Sequence, residues 1–179
     1  MHLKTYEELL SAKTYTKAEV MDAALVVPKY LKKTNLTQDE IALIFSEGSN
    51  FYQLEHPIVD VFGNEFRDSE GYYMAARTDD LLVKKTIALH SKQFGFSRKA
   101  RVLYKLEQDK IKRIDYMREA VTLKFDNNPE LSDKLLFTAP LQLIEYTYRK
   151  DDFFGIDQYT MRGQNVLGKL LMEYRENQL

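Results

Sequence analysis

Cysteine is missing from all 179 residues, which excludes disulfides, thiolate nucleophiles and cysteine-ligated metals and gives no support to an oxidising compartment. Tryptophan is missing too, and histidine is scarce: His2, His56 and His90 are too dispersed for a metal set. Neither a His-Glu-x-x-His spacing nor a Walker-type glycine loop occurs, so no metal, no ATP and no other cofactor is expected. No sign of charge dominates. With 26 basic and 27 acidic residues the net charge is -1, so the chain has no global reason to sit on nucleic acid or an anionic membrane, and any polyanion contact is local. Long apolar runs are lacking: the longest, residues 23–27 and 41–45, hold five residues each. Residues 1–7 lack the apolar core of a secretion signal, and a cytoplasmic, non-membrane protein is expected.

Proline and glycine are few. The four prolines, Pro28, Pro57, Pro129 and Pro140, are scattered, and no linker, repeat or low-complexity tract appears. This length and a 44% hydrophobic content fit one compact domain with a core that needs no staple. Three of the seven glycines, Gly155, Gly163 and Gly168, fall close together beside Asp151, Asp152, Phe154, Arg162 and Asn165. A glycine-punctuated loop carrying acids just before an amphipathic helix suits a small-molecule site, because glycine lets the backbone approach a ligand closely.

Periodicity sets the expected elements. Val20, Ala24, Val27 and Leu31 predict an amphipathic helix over 16–33, ended or kinked by Pro28, in an N-terminal appendage of residues 1–45 ahead of the main domain, 46–179. Residues 41–45 read as a strand, and 58–67, with Gly63 and Asn64 between, as a hairpin. Asp68 or Ser69 caps a helix over 70–77, and Asp79 and Asp80 lead into another reaching His90. Ile114, Met117, Val121 and Phe125 mark a helix over 108–125; Asn128 and Pro129 open the next. Leu167, Leu170, Leu171 and Tyr174 share one face of a terminal helix. The class expected is α+β, predominantly α-helical with a small antiparallel sheet or hairpin.

The ordered motifs carry more than the elements do. Gly48-Ser49-Asn50-Phe51 is followed by Ser69-Glu70-Gly71-Tyr72-Tyr73-Met74-Ala75-Ala76-Arg77, the helix 117–125, Asn128-Pro129-Glu130-Leu131, Asp151-Asp152-Phe153-Phe154-Gly155 and Arg162-Gly163-Gln164-Asn165-Val166-Leu167-Gly168. Over roughly residues 46–176 this series resembles the NADAR or YbiA-like family of N-glycosidases. That family's pattern is Ser-Asn-Phe, Ser-Glu-His-Tyr-Phe-Gln-Ala-Gln-Lys, a Met-x-x-Ala-x-x-x-Lys-Phe helix, Asp-x-x-Trp-Gly and Gly-x-Asn-x-Leu-Gly. The resemblance implies a YbiA-like fold and cleavage of a ribose-to-nitrogen bond in nucleotide-like substrates. The family's substrates include riboflavin-pathway intermediates and ADP-ribose attached to guanine bases.

Carried onto this chain, the resemblance makes Glu70 the water-activating or cation-stabilising carboxylate and Asp151 its partner, roles that fit an oxocarbenium-like transition state. The bland readings stand beside these: Glu70 as a first-turn acid favoured by the helix dipole, and Asp151 as a turn acid. Arg162, Gly163 and Asn165 suit either a phosphate at a helix N-terminus or a plain cap. Arg77 matches a basic family position and suits phosphate, or is a solvated charge. Tyr73 and Phe154, beside Gly155, stack on a base or pack in the core, and Asn50 hydrogen-bonds a ligand or forms a turn. Phe154 replaces the usual Trp and Gly71 the usual His, which motivates an alternative function, a non-catalytic binder sequestering an ADP-ribose-like nucleotide. The expected partner is a nucleotide-like small molecule or ADP-ribosylated nucleic acid. The basic run Lys92, Arg98, Lys99, Arg101 and Lys105 reads as a solvated helix face, with a nucleic-acid backbone as the rival contact.

Overall fold

Along the chain the elements of the computed structural model run β1 (Ile41–Leu43), a 3-10 turn (Ser46–Gly48), β2 (Ile58–Val59), β3 (Glu65–Phe66), α1 (Ser69–Ala76), α2 (Leu81–His90), α3 (Phe96–Leu103), α4 (Lys110–Asp126), α5 (Pro129–Leu136), β4 (Gln142–Ile144), β5 (Tyr146–Thr147), β6 (Ile156–Asp157) and α6 (Val166–Asn177). The structure describes residues 40–44, 46–91, 96–147, 151–157 and 159–179. The helix expected over 16–33 lies outside them. Two compact units hold the described residues: 46–135, and 40–44 with 136–179.

In the unit 46–135, acids start the helices. Asp68 accepts the Gly71 amide at 2.6 Å to cap α1, Asp80 accepts the amides of Leu82 and Val83 to cap α2, and Asp109 accepts that of Lys112 to cap α4. Each such cap is worth ~1 kcal/mol because it satisfies an amide the helix cannot. The hairpin forms as the Gly63-Asn64 pair suggests: Ile58 pairs with Phe66 and Val59 with Glu65, antiparallel, while Asp60 gathers the turn amides of Phe62 and Asn64. Five consecutive residues of α1, Gly71 to Ala75, are buried, so this short helix has almost no polar face and packs against α2, α3 and α4. α4 turns Met117, Ala120, Val121 and Phe125 inward. Burial of Met117, Val121 and Phe125 there contributes ~1.5–3 kcal/mol each.

The other unit is built on parallel pairs, which the expected hairpin does not contain. β1 pairs with β4 in the register Ile41 with Gln142 through Leu43 with Ile144, and β5 pairs with β6. The partners in β1 and β4, such as Ile41 and Gln142, stand far apart in the chain and leave no periodic trace in it. α6 lays Leu167, Leu170, Leu171 and Tyr174, all buried, toward β4. A Cβ at Gly168 would collide with the carbonyl of Leu143, so only glycine lets helix and strand come this close. Among the described residues no helix is long and apolar enough to cross a membrane.

Candidate functional site

Glu70 is positioned by a turn twenty residues upstream. The Asn50 carbonyl accepts the Glu70 amide at 3.0 Å and the Ser69 hydroxyl at 3.3 Å, so the first turn of α1 is tied down by its cap Asp68 and by Asn50 together. Glu70 itself is half-buried in that first turn, where the helix dipole favours a carboxylate. Asn50 is buried, and its side-chain Oδ1 has no hydrogen-bond partner among the described residues. A buried acceptor without a donor carries a cost that a bound ligand or water removes.

Three and seven residues beyond Glu70, the same helix and its C-cap deliver Tyr73 and Arg77 to one cluster. Arg77 is only 4% exposed, so the solvated-charge reading does not hold. Its Nε donates to the Glu107 carbonyl at 2.8 Å and its Nη1 to the Met74 sulfur at 3.3 Å, while Nη2 has no partner among the described residues. The guanidinium lies 5.1 Å from the centre of the Tyr73 ring, and the Tyr73 hydroxyl accepts from Arg113 Nε at 3.0 Å. Burial pushes the Arg77 pKa below the ordinary arginine value, and the neighbouring Arg113 charge adds to this against the opposing effects of Tyr73 and Glu70. Burial likewise raises the Tyr73 pKa, against the two arginines. Within the unit 46–135, then, Asn50, Glu70, Tyr73 and Arg77 come together, with two polar atoms still open.

The candidates of the other unit are held differently. Asp151 Oδ1 accepts the amides of Phe153 and Phe154 at 3.1 and 3.0 Å, which gives it the geometry of a turn acid. Phe154 is buried edge-on against Phe153, ring centres 4.9 Å apart, as a core residue. Gly155 and Gly163 let two backbone stretches touch: a Cβ at Gly163 would overlap the Gly155 carbonyl. Asn165 takes the left-handed conformation, φ 52°, and makes no side-chain cap to α6. Its amide bridges the backbone of the strand region instead, donating to the Leu143 carbonyl at 2.8 Å and accepting from the Glu145 amide at 2.9 Å. The reading of the Asn165 side chain as a plain cap is therefore corrected; Arg162 stays exposed.

The NADAR domain profile matches residues 32–178. The chain belongs to the NADAR family. It is similar to N-glycosidase YbiA of Shigella flexneri serotype 5b (strain 8401), 32% identical over 148 residues that cover 79% of this chain and 91% of that protein. It is also similar to a riboflavin biosynthesis protein of Vibrio vulnificus (strain YJ016), 32% identical over 131 residues, 72% of this chain but 34% of that longer protein. The NMR structure of the E. coli protein YbiA superposes with a TM-score of 0.60 at 30% identity, over 80% of this chain and 87% of that one. The fold is the α+β YbiA-like one.

Two further residues of this NADAR domain stand at the cluster, Lys124 and Arg113. Lys124 is 1% exposed and donates to the Ser49 carbonyl at 2.9 Å. The signal was available: Arg113, Met117, Ala120, Val121 and Lys124 follow one face of α4, and a lysine on an apolar stripe is rarely idle. Gly71, where the family usually carries histidine, has Ser91 against it; an added Cβ would meet the Ser91 Cβ at 2.7 Å.

Proposed function

We propose that this NADAR protein is an N-glycosidase that hydrolyses the ribose-to-nitrogen bond of a ribosylated or ADP-ribosylated base. Glu70 takes a proton from water, the water oxygen bonds to the anomeric carbon as the carbon–nitrogen bond breaks, and the departing base keeps the electron pair and acquires a proton. The carboxylate also faces the positive charge that develops on the sugar. Arg77 offers its open Nη2 to a substrate phosphate, and Asn50 offers Oδ1 to a sugar hydroxyl. Asp151 serves by shaping its loop, and Phe154, Gly155, Arg162, Gly163 and Asn165 by setting the backbone around it.

The observation that carries this reading is the pair of buried polar atoms without a partner among the described residues, Asn50 Oδ1 and Arg77 Nη2, the first on the residue whose carbonyl holds the Glu70 amide and the second on a guanidinium that feels the Glu70 charge. Family membership and relatives named N-glycosidase support the reaction class. The test is incubation of purified protein with ADP-ribosylated guanine nucleic acid and, separately, with ribosylamino-pyrimidine nucleotides. Free ADP-ribose should appear from the first or free pyrimidine from the second; two intact substrates at high enzyme concentration overturn the reading. A binder that sequesters an ADP-ribose-like nucleotide is the second reading, favoured by the filled space at Gly71 where histidine is usual. Tight stoichiometric heat release on titration with ADP-ribose, without turnover, would favour it.

A further inference from the structure

The buried face of α4 is apolar except where Lys124 interrupts it between Val121 and Phe125. A methionine would fill nearly the same volume without desolvating an ion, so packing alone does not account for lysine at this position. The contacts of its ammonium indicate a task. Nζ donates to the Ser49 carbonyl and lies 5.9 Å from the centre of the Tyr52 ring and 5.2 Å from that of Phe125. The very next carbonyl, that of Asn50, holds the Glu70 amide and the Ser69 hydroxyl.

We propose that Lys124 is the positioning residue of the site: it braces the turn at residues 49 and 50, and the turn in turn fixes Glu70 and aims the Asn50 amide. The inference rests on the glycosidase reading for its effect on turnover, but not for its effect on geometry. The base of the brace is itself fixed. Asn128 donates from Nδ2 to the Lys124 carbonyl and to the His56 carbonyl, and accepts the His56 amide, which locks the last turn of α4 against the segment before β2. One lysine thus links the rigid end of a 17-residue helix to the first turn of another. Its charge also draws the Ser49 carbonyl inward, in an environment where a charge-assisted hydrogen bond is strong. Neither residue 49 nor residue 50 belongs to a regular strand or helix; the Ser49 carbonyl that Lys124 grips also accepts the Tyr52 amide at 3.1 Å, so the lysine ties a local turn to a distant helix.

The experiment compares the full-length wild type with Lys124→Met and Lys124→Arg, reading amide hydrogen exchange at Glu70, kcat and KM. Lys124→Met should keep its circular dichroism spectrum, exchange the Glu70 amide about tenfold faster, and lose about 10- to 100-fold in kcat with KM changed by less than about threefold. Lys124→Arg, which donates to the same carbonyl, should recover part of both. Wild-type exchange at Glu70 in the folded methionine variant overturns the proposal, as does a kcat loss that only tracks the unfolded fraction. If Lys124→Met does not fold, Lys124→Gln, a neutral donor of shorter reach, takes its place: faster Glu70 exchange supports the brace, and wild-type exchange overturns it. A wild type inactive on every substrate removes the glycosidase reading alone, because the exchange measurement still decides the role of Lys124.

Discussion

The candidate residues of the two compact units use their polar side chains differently. In 136–179, Asp151 and Asn165 are committed to backbone amides and carbonyls, and they hold a loop and a helix in place. In 46–135, Asn50 and Arg77 are buried and each keeps an atom with no partner among the described residues. Arg175 of the unit 136–179 also keeps Nε without a partner among the described residues, while its Nη1 clasps the Thr138 hydroxyl and the Leu141 carbonyl. A polar group engaged by its own backbone builds scaffold, whereas one buried and left open has capacity for something else. That is why Glu70, rather than Asp151, bears the chemistry in our reading.

Four experiments sharpen or break this contrast. The largest effect belongs to Glu70→Gln, which should lower turnover by about 10²- to 10⁴-fold with an unchanged melting curve; wild-type turnover would leave the unit 46–135 without its reactive group. Asn165→Ala should act on stability instead. It strands the Leu143 carbonyl and the Glu145 amide and places alanine in a left-handed conformation, a loss of about 2–4 kcal/mol, seen as a Tm lower by on the order of 10 °C. Turnover per folded molecule should stay put, and a fall in it would put Asn165 back among the substrate contacts. Arg77→Met should raise KM by about 10- to 100-fold through one lost charge-assisted hydrogen bond, while phosphate-free substrate analogues should bind as before. Equal weakening for both would remove phosphate from the account.

The smallest effect concerns Glu107, on the surface near this cluster. Backbone bonds from the amides of Asp109 and Gln108 and the ammonium of Lys112 depress its carboxyl from 4.5 to about 2. A carboxylate depressed in the fold stabilises above the unfolded value and loses that contribution as pH falls from about 4.5 toward 2. Glu107→Gln should therefore flatten the acid side of the Tm profile slightly, the solvent exposure of the pair having weakened the effect. An unaltered profile would show that this arrangement adds nothing to stability.

Local chemistry made much of the fold readable. Asp68, Asp80 and Asp109 cap helices because a short carboxylate satisfies orphan amides wherever it stands, and α4 and α6 carry their buried faces in plain 3.6-residue spacing. The parallel pairing of β1 with β4 was not readable, since two or three residues carry no period and their partner lies far along the chain. The site divides in the same manner. By itself the sequence determined which residue types were available, the ordered motifs that mark a NADAR chain, and a carboxylate at the first turn of a helix. Only tertiary structure decided that Arg77 is buried rather than solvated, that Asn165 serves a strand and not a cap, and that Lys124 reaches back to the turn holding Glu70. Burial and long-range hydrogen bonds depend on what the rest of the chain brings alongside, and no local pattern encodes that.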